Sequence, residues 1–404
     1  MALSGGGDSM ALLHLAADWA RARGRRLLAL TVDHNLNALS ADWTCFAGEA
    51  ARAVGADWRG LSWDGARAGP GLTARARTAR HGLLAEAARA AGARVVLLAQ
   101  TADDVAEADW MRARGSTLGR VREWSPSPVW PEGRGLMLLR PLLEERREGL
   151  RDYLRARGQG WIEDPGNADE RFGRSRARAA LAAAEDGLAI PTRSPLRFDH
   201  PPHEGQGEAG AFVWAGVLDI SRYGSASTLA AALLCAGGGA VPPRGERMAA
   251  LKARLAAGED FVAGLSGARV EATGGSVRII REPGEMRRCP PEAVRLTPGA
   301  AAVWDGRFEI TATEPGWRVE AAAGRLARLS QADRRAAAGL PAAARGGLPV
   351  LVREDGNGAI LAWRGAVVRA LGGRRLGLAL GETTQESDLF QAMHGETPPT
   401  DLFS

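Results

Sequence analysis

The hydrophobic positions of the first 140 residues follow two different periods. Apolar residues recur at helical spacing over residues 8–22, 41–54 and 72–91, whereas residues 27–32 and 95–99 are continuous apolar runs. A short continuous run is typical of a strand that is buried on both faces. Because such strands alternate here with amphipathic helices, the pattern predicts an N-terminal α/β domain built on a parallel sheet.

The pattern changes beyond this region. Residues 144–158 form a charged amphipathic segment, and prolines and glycines concentrate in residues 190–210, which is typical of a linker. Residues 226–258 have helical spacing with a break, and short β-rich runs separated by turn residues follow from Val270 onward. We therefore predict an α/β domain in residues 1–185, a linker with a helical region in residues 186–265, and a small mixed α/β domain with a flexible tail in residues 266–404.

The composition is that of an ordinary globular protein and narrows the functional classes. Of the 404 residues, 45% are hydrophobic and 25% charged, and no run of about 18 apolar residues occurs, so we predict no membrane span. The first residues have neither the basic nor the apolar region of a secretory signal. Cys45, Cys235 and Cys289 are widely spaced, which excludes CxxC pairs and a disulfide framework. Together these features predict a cytoplasmic location.

The charge permits a polyanionic partner. The net charge is +5, and all but one of the 52 basic residues are arginine, the exception being Lys252. Arginine forms forked hydrogen bonds to phosphate and stacks on bases more readily than lysine does. The arginine bias, with the abundant alanine and glycine, is also what GC-rich codons produce. The composition therefore allows RNA binding without requiring it.

A glycine-rich loop between a short apolar stub and the first helix is the strongest candidate for chemistry. Successive glycines let backbone amides turn toward one anion, and the helix N-terminus adds a partial positive charge. The loop lacks the lysine of a Walker sequence and the GxGxxG spacing of a dinucleotide site. An ordinary glycine turn with Asp8 as the helix cap is the alternative. We predict a phosphate-binding loop formed by Ser4, Gly5, Gly6, Gly7, Asp8 and Ser9, in which Asp8 helps to hold Mg²⁺.

Further carboxylates follow the predicted strands. Asp33 ends one apolar run, and Asp103, Asp104 and Glu107 follow the next at spacings that share one helical face. Ligands of open α/β sheets bind beyond the carboxyl ends of the strands. Carboxylates gathered beside a triphosphate repel one another unless they bind Mg²⁺ or a cationic amine. A helix cap at Asp33 and a solvated acidic first turn are the alternatives. We predict catalytic roles for these four residues and for Asp8.

The glycine loop resembles the SGGxDS signature of the PP-loop ATP pyrophosphatases, and other stretches resemble the tRNA(Ile)-lysidine synthetases within that superfamily. Asp33 and His34, in the sequence DHNLN, are similar to the family's strand–DH element. The sequence AQTADDVAEADWMR is similar to H-x-x-D-D-x-x-E-T, but it has Gln100 for the histidine and Ala108 for the threonine. The arginine-rich helix after Gly71 and the stretch that begins WIEDPGNAD also resemble family elements.

The resemblance covers residues 1–180 and implies a Rossmann-like PP-loop fold of the adenine nucleotide alpha hydrolase type. It implies ATP as co-substrate with Mg²⁺, and tRNA(Ile) with a CAU anticodon and L-lysine as partners. The implied reaction adenylates C2 of the wobble cytidine, releases pyrophosphate and then joins lysine at C2 to give lysidine and AMP. The further residues implied in substrate binding are Arg75, Arg80, Glu163, Asp164, Arg174 and Arg178.

Other functions are compatible with the loop. A PP-loop tRNA thiolase shares it but commonly uses CxxC pairs, and a small-molecule adenylating ligase shares it without needing a large basic second half. A non-enzymatic tRNA-binding paralogue is a third alternative. Only three residues precede Ser4, whereas a buried strand needs about five. We therefore expect the first strand to be clipped relative to a full-length protein and the loop to be poorly anchored.

Overall fold

The computed structural model describes residues 1–35, 39–65, 71–116, 121–163, 173–184, 213–353 and 358–380. The contacts divide the chain into two compact units, Met1–His200 and Pro201–Ser404. Within the described ranges, no helix has both the length and the apolar character needed to cross a membrane.

The first unit alternates helices with strands, as the sequence predicts. Its helices are α1 (Gly7–Ala22), α2 (Ser40–Ala53), α3 (Leu72–Ala90), α4 (Ala102–Arg112), α5 (Arg147–Ala156) and α6 (Gly173–Ala184). Its strands are β1 (Leu28–Asp33), β2 (Asp57–Ser62), β3 (Val95–Leu97), β4 (Trp124–Pro126) and β5 (Met137–Leu139). The pairs β1–β2 and β3–β5 are parallel, which confirms the predicted sheet. The antiparallel edge strand β4 has no clear signal in the sequence.

Residues 1–3 lie between the two parallel pairs and join them. The Ala2 amide donates to the Leu97 carbonyl at 2.9 Å, and the Leu3 amide donates to the Leu30 carbonyl at 2.8 Å. The side chains of Met1 and Leu3 are buried. Hydrogen bonds therefore hold the segment before the glycine loop on both sides, and the expectation of a poorly anchored loop is wrong.

Helices cover both faces of this sheet. Ala29 packs with Met10 of α1 and Leu154 of α5 in one core, whereas Leu30 packs with Leu84 of α3 in another. Successive side chains of a strand point to opposite faces, so neighbouring residues of β1 enter different cores. The continuous apolar run in the sequence follows from this burial on both sides. The first core also fixes the angle between α1 and α5, whose N-termini meet at the candidate site.

The second unit contains antiparallel sheets and short helices. Its helices are α7 (Ala226–Ala236), α8 (Glu246–Ala256), α9 (Pro283–Arg288), α10 (Gln331–Ala338), α11 (Ala342–Arg345) and α12 (Gly372–Leu380). Short 3₁₀ turns lie at Val213–Ala215, Leu326–Arg328 and Ala362–Arg364. Its strands are β6 (Leu218–Ser221), β7 (Phe261–Leu265), β8 (Ala268–Thr273), β9 (Ser276–Arg281), β10 (Val294–Arg295), β11 (Ala301–Trp304), β12 (Phe308–Ala312), β13 (Trp317–Ala321), β14 (Pro349–Arg353), β15 (Ala359–Leu361) and β16 (Ala366–Ala370).

The strand orders in this unit are β6-β9-β8-β7, β10-β13-β14-β15 and β11-β12-β16. Helices α7 and α8 pack on the first of these sheets, where Leu233 and Leu251 share a core with Val270 and Ile279. The boundary that we predicted at residue 266 falls in the hairpin between β7 and β8. The predicted helical region and the start of the predicted C-terminal domain thus share one core, because β6 pairs with β9 across that boundary.

Candidate active site

The glycine loop requires glycine at its sharpest point for two reasons. Gly5 has a φ of +83°, in the left-handed region that side chains disfavour. A Cβ atom at Gly5 would also collide with the Cδ1 atom of Ile162. Gly6 is the N-cap of α1 and supplies no side-chain hydrogen bond to it. The first amides of the helix have no partners within the helix, so this end of α1 is suited to bind an anion.

The two serines of the loop have different environments. The buried Ser9 Oγ accepts a hydrogen bond from the Ser4 amide at 3.2 Å and donates one to the Gly6 carbonyl at 2.9 Å. It also lies 3.1 Å from the Ser4 Oγ. A hydroxyl group has one proton, which Ser9 uses inside the loop. Ser9 therefore shapes the loop, while the exposed Ser4 hydroxyl is the one open to a ligand.

The family-like stretch at Trp161 contacts the glycine loop directly. The Ile162 amide donates to the Gly5 carbonyl at 2.9 Å, and the two segments form a short parallel bridge. Trp161 donates from Nε1 to Glu163 Oε1 at 2.7 Å, beside Gly7. Sequence reasoning assigned this stretch to substrate binding and missed its contact with the loop. Asp164, the next predicted residue, lies outside the described residues.

Predicted carboxylates from two helices meet around one arginine that the sequence analysis did not single out. Arg147, the first residue of α5, donates from Nε to Asp8 Oδ2 at 3.2 Å and from Nη1 to Glu107 Oε1 at 3.3 Å. Its Nη2 atom lies 3.7 Å from Asp104 Oδ2. The structure thus brings Asp8, from the glycine loop, together with the acidic residues of α4.

Two of these acidic residues hold helix starts. Asp104 Oδ2 accepts hydrogen bonds from the Thr101 amide at 2.9 Å and from the Thr101 hydroxyl at 3.0 Å, which forms a capping box at α4. Asp103 Oδ2 accepts the Arg147 amide at 2.8 Å and so caps α5. The structure gives both carboxylates a structural role, and their predicted catalytic roles stay predictions.

Among the carboxylates of the described residues, Glu107 has a buried oxygen without a hydrogen-bond donor. Its side chain is 2% exposed, and its Oε1 accepts from Arg147 and from Arg178 Nε, the latter at 2.9 Å. Its Oε2 is buried and has no hydrogen-bond partner among the described residues. A buried carboxylate oxygen without a donor is costly, so Glu107 is ready to accept a further donor. Burial also raises the pKa of the nearby Asp8 carboxyl, and the charge of Arg147 offsets part of that effect.

Arginines of α3 and α6 form a cationic region beside these carboxylates. Desolvation lowers the pKa of Arg80 to about 10, and the charges of Arg77 and Arg174 add to the effect, although the Arg80 side chain is open to solvent. Desolvation, with the charge of Arg77, also lowers the pKa of Arg140 to about 10. Arg77 is thus an α3 arginine whose charge acts on Arg80, and the predicted substrate-binding role of Arg75 stays a prediction.

The remaining predicted residues lie at the same end of the unit. The Arg174 Nη1 is 3.8 Å from Asp104 Oδ1, and the exposed Glu163 accepts from Arg151 Nη2 at 3.2 Å. Gln100, where the family has histidine, accepts a hydrogen bond from Arg140 Nε. These contacts give the positions of Arg174 and Glu163, whose roles in substrate binding stay predictions.

Asp33 ends β1 level with the glycine loop, since Ala2 lies opposite Leu30 in the parallel register. Its Oδ1 accepts the Asn35 amide at 2.8 Å. Next to it, burial and the charge of Arg80 lower the pKa of His34. Asp33 therefore lies at the predicted sheet edge, where its carboxylate holds its own turn and its carbonyl accepts the Trp63 amide at 2.9 Å.

The carboxylate of Asp8 is a donor that fits a magnesium ion bound beside a nucleotide. No group of three or more His, Cys, Asp or Glu side chains within the described ranges is arranged to hold a metal ion. Mg²⁺ beside a nucleotide needs fewer protein ligands, because it usually takes one or two carboxylates and completes its shell with phosphate oxygens and water. Asp8 lies at the end of α1 that is suited to bind an anion, and among the described carboxylates it is the one suited to this.

Comparison with known proteins agrees with the geometry. Residues 1–185 match the family model of a PP-loop domain. A tRNA(Ile)-lysidine synthase of Caulobacter vibrioides is 46% identical over 88% of this chain and 84% of its own length. Those of Hyphomonas neptunium and Mesorhizobium japonicum are 36% and 37% identical, over 78% and 77% of this chain and 89% and 71% of their own lengths. The chain belongs to the tRNA(Ile)-lysidine synthase family.

Proposed function

We propose that this protein joins L-lysine to C2 of the wobble cytidine in tRNA(Ile) with a CAU anticodon, at the expense of ATP. Family membership supports the reaction class. The observation that carries the assignment of residues is the meeting of the glycine loop with a buried, partly unpaired carboxylate, Glu107, around Arg147. This arrangement supports an anion site at the loop and an amine site at Glu107 that are joined by one arginine side chain.

The first step is adenylation of the tRNA. The C2 oxygen of the cytosine attacks the α-phosphorus of ATP, the bond from that phosphorus to the β-bridging oxygen breaks, and pyrophosphate leaves. Loop amides and the N-terminus of α1 stabilise the charge that develops on the leaving pyrophosphate. Asp8 is the residue that would hold Mg²⁺, and the ion would neutralise phosphate charge there. The Ser4 hydroxyl, whose proton goes to Ser9 Oγ in the free loop, turns to donate to a phosphate oxygen, while Ser9 keeps the loop in shape.

The second step joins lysine. The lysine Nε attacks C2 of the adenylated cytosine, the bond from C2 to the AMP oxygen breaks, and the amine loses a proton. Glu107 accepts a hydrogen bond from the ammonium group through Oε2 and orients it, and a carboxylate within reach can take the proton. Asp103 and Asp104 hold the helix starts that fix this geometry. Exposed arginines of α3 and α6, among them Arg80 and Arg174, face the RNA phosphates.

A lysine-incorporation assay tests the proposal. The purified protein is incubated with ATP, Mg²⁺, tRNA(Ile) carrying CAU and radiolabelled lysine, and both label in tRNA and pyrophosphate are measured. We expect multiple turnovers only when tRNA and lysine are both present, and a loss of about 100-fold or more in Asp8→Ala. Sulfur incorporation without lysine would support a thiolase. Tight tRNA binding without pyrophosphate release would support a non-enzymatic paralogue.

A further inference from the structure

Arg147 lies where the nucleotide loop and the carboxylates of α4 come closest. Its guanidinium reaches Asp8 on α1 through Nε and Glu107 on α4 through Nη1, and these two contacts are 3.2 and 3.3 Å long. The proposed function assigns Asp8 to the nucleotide and Glu107 to the amine. One side chain therefore bridges two groups that bind different substrates.

The backbone fixes Arg147 firmly in this place. Its amide, at the start of α5, donates to Asp103 of α4. Leu150 and Leu154 of α5 pack in the core that also contains Met10 of α1. The side chain of Arg147 is 17% exposed. The guanidinium can shift between its acidic partners, whereas the helix that carries it cannot easily follow, because its apolar face is buried.

The charges around Arg147 set its contact with Asp8 against its contact with Glu107. A guanidinium held between Asp8 and Glu107 neutralises part of the charge on each. A lysine ammonium that approaches Glu107 must therefore compete with Arg147, and to a lesser degree with Arg178, which is 40% exposed. A polyphosphate in the glycine loop adds negative charge on the Asp8 side and attracts the guanidinium there, since arginine is well suited to forked contacts with phosphate.

We propose that Arg147 is a positioning residue that couples occupancy of the glycine loop to lysine binding at Glu107. Nucleotide in the loop draws the guanidinium toward the phosphates and leaves Glu107 open to the ammonium group. Coupling free energies act in both directions, so lysine also strengthens nucleotide binding by the same factor. The inference rests on the proposed function and adds a coupling to it, because each of the two ligands binds more tightly when the other is in place.

Calorimetric titration of L-lysine into the full chain tests the coupling. The Kd is measured with and without a non-hydrolysable ATP analogue and Mg²⁺, in the wild type and in Arg147→Gln. In the wild type we expect the analogue to lower the lysine Kd by at least about fivefold. In Arg147→Gln the two Kd values should agree within about twofold, because the cation that joins the loop to Glu107 is gone, while Arg178 stays at Glu107 with and without nucleotide. The reciprocal titration of the analogue with and without lysine should give the same ratios.

Two further variants keep the test independent of folding defects. Arg147→Lys retains one charge but cannot span both carboxylates, so its coupling ratio should fall below half the wild-type value. Arg26→Gln removes an exposed ion pair with Asp57 and should leave the ratio unchanged. Thermal unfolding shows which variants are folded. If Arg147→Gln does not fold, the coupling ratio of Arg147→Lys tests the proposal.

The results separate the two proposals. Failure of the wild type to join lysine to tRNA overturns the proposed function. A wild type that joins lysine while its lysine Kd is independent of nucleotide overturns the coupling alone. A wild-type coupling ratio retained in a folded Arg147→Gln or Arg147→Lys variant also overturns it.

Discussion

Glu107 and Arg147 are 40 residues apart in the chain, and an Oε1 to Nη1 hydrogen bond of 3.3 Å joins the middle of α4 to the first residue of α5. The other oxygen of Glu107 is buried and has no donor within the described part of the chain. Asp103 and Asp104 differ from Glu107, because their carboxylates accept the hydrogen bonds that cap α5 and α4. We therefore expect a variant of Glu107 to lose lysine binding and a variant of Asp104 to lose stability.

Glu107→Gln should damage the lysine step more than the adenylation step. A neutral amide cannot balance the lysine ammonium, so we expect the KM for lysine to rise by about tenfold or more, which corresponds to roughly 1.4 kcal/mol. Pyrophosphate release in a single turnover without lysine should change much less. Steady-state kinetics in lysine and a single-turnover assay measure the two effects.

Glu86→Gln makes the same change at an exposed residue of α3 and is the matched control. Equal losses in both steps for Glu107→Gln, with normal behaviour of Glu86→Gln, would contradict a specific role for Glu107 in binding lysine.

Asp104→Ala should reduce stability more than it reduces chemistry. The substitution removes the carboxylate that accepts two hydrogen bonds from Thr101, and loss of such a cap costs about 1 kcal/mol. Urea unfolding measures the free energy of unfolding. Asp42→Ala, in the first turn of α2, removes an exposed acidic side chain and should change stability by less. A loss of lysine incorporation as large as that in Glu107→Gln would show that Asp104 also acts on a substrate.

Gly5→Ala should destabilise the loop beyond the ordinary cost of a left-handed residue. Alanine at a positive φ costs about 1–2 kcal/mol, and at Gly5 its Cβ also displaces Ile162, whose amide holds the loop. We expect a larger loss of unfolding free energy than in Gly55→Ala, where φ is +79° and no atom is within 4 Å of the added Cβ. The KM for ATP should rise in Gly5→Ala alone.

The double variant Gly5→Ala with Ile162→Ala separates the two causes. It relieves the collision and leaves the backbone strain, so the KM for ATP should recover in part. No recovery would mean that backbone strain alone accounts for the effect.

His81 should make the protein less stable in acid. Desolvation first, and then the charges of Arg80, Arg77 and Arg140, lower its pKa from 6.5 to about 3 in the folded chain. As the pH falls from 6.5 toward 3, the unfolded chain takes up a proton that the folded chain does not. The contribution of His81 to stability is therefore complete above pH 6.5 and declines below it, by up to about 1.4 kcal/mol per pH unit.

Comparison with His81→Gln isolates this contribution. The difference in free energy of unfolding between the wild type and His81→Gln is measured by urea titration at several values from pH 7.5 to pH 5. The wild type should lose stability relative to the variant as the pH falls. Parallel curves for the two proteins would contradict a neutral, desolvated His81.

Local pattern in the sequence was sufficient for most elements of the first unit, although not for the edge strand β4. Continuous apolar runs fixed the buried strands, and helical spacing with glycine at the ends fixed α1, α2 and α3, because these signals depend on near neighbours. The glycine loop could also be predicted, because its backbone conformation requires glycine within the loop itself. The sequence analysis did not single out Arg77, which lies two residues after Arg75 in the same arginine-rich helix.

The long-range partners were decided only by the tertiary structure. Arg147 lies 139 residues from Asp8, and nothing in the charged helical pattern of 144–158 marks one arginine among several as the residue that faces the loop. The contact of Ile162 with Gly5 and the capping of α5 by Asp103 have the same origin. A chain segment specifies its own backbone through local sterics and hydrogen bonds, whereas which side chains meet depends on how buried helices pack across the sheet.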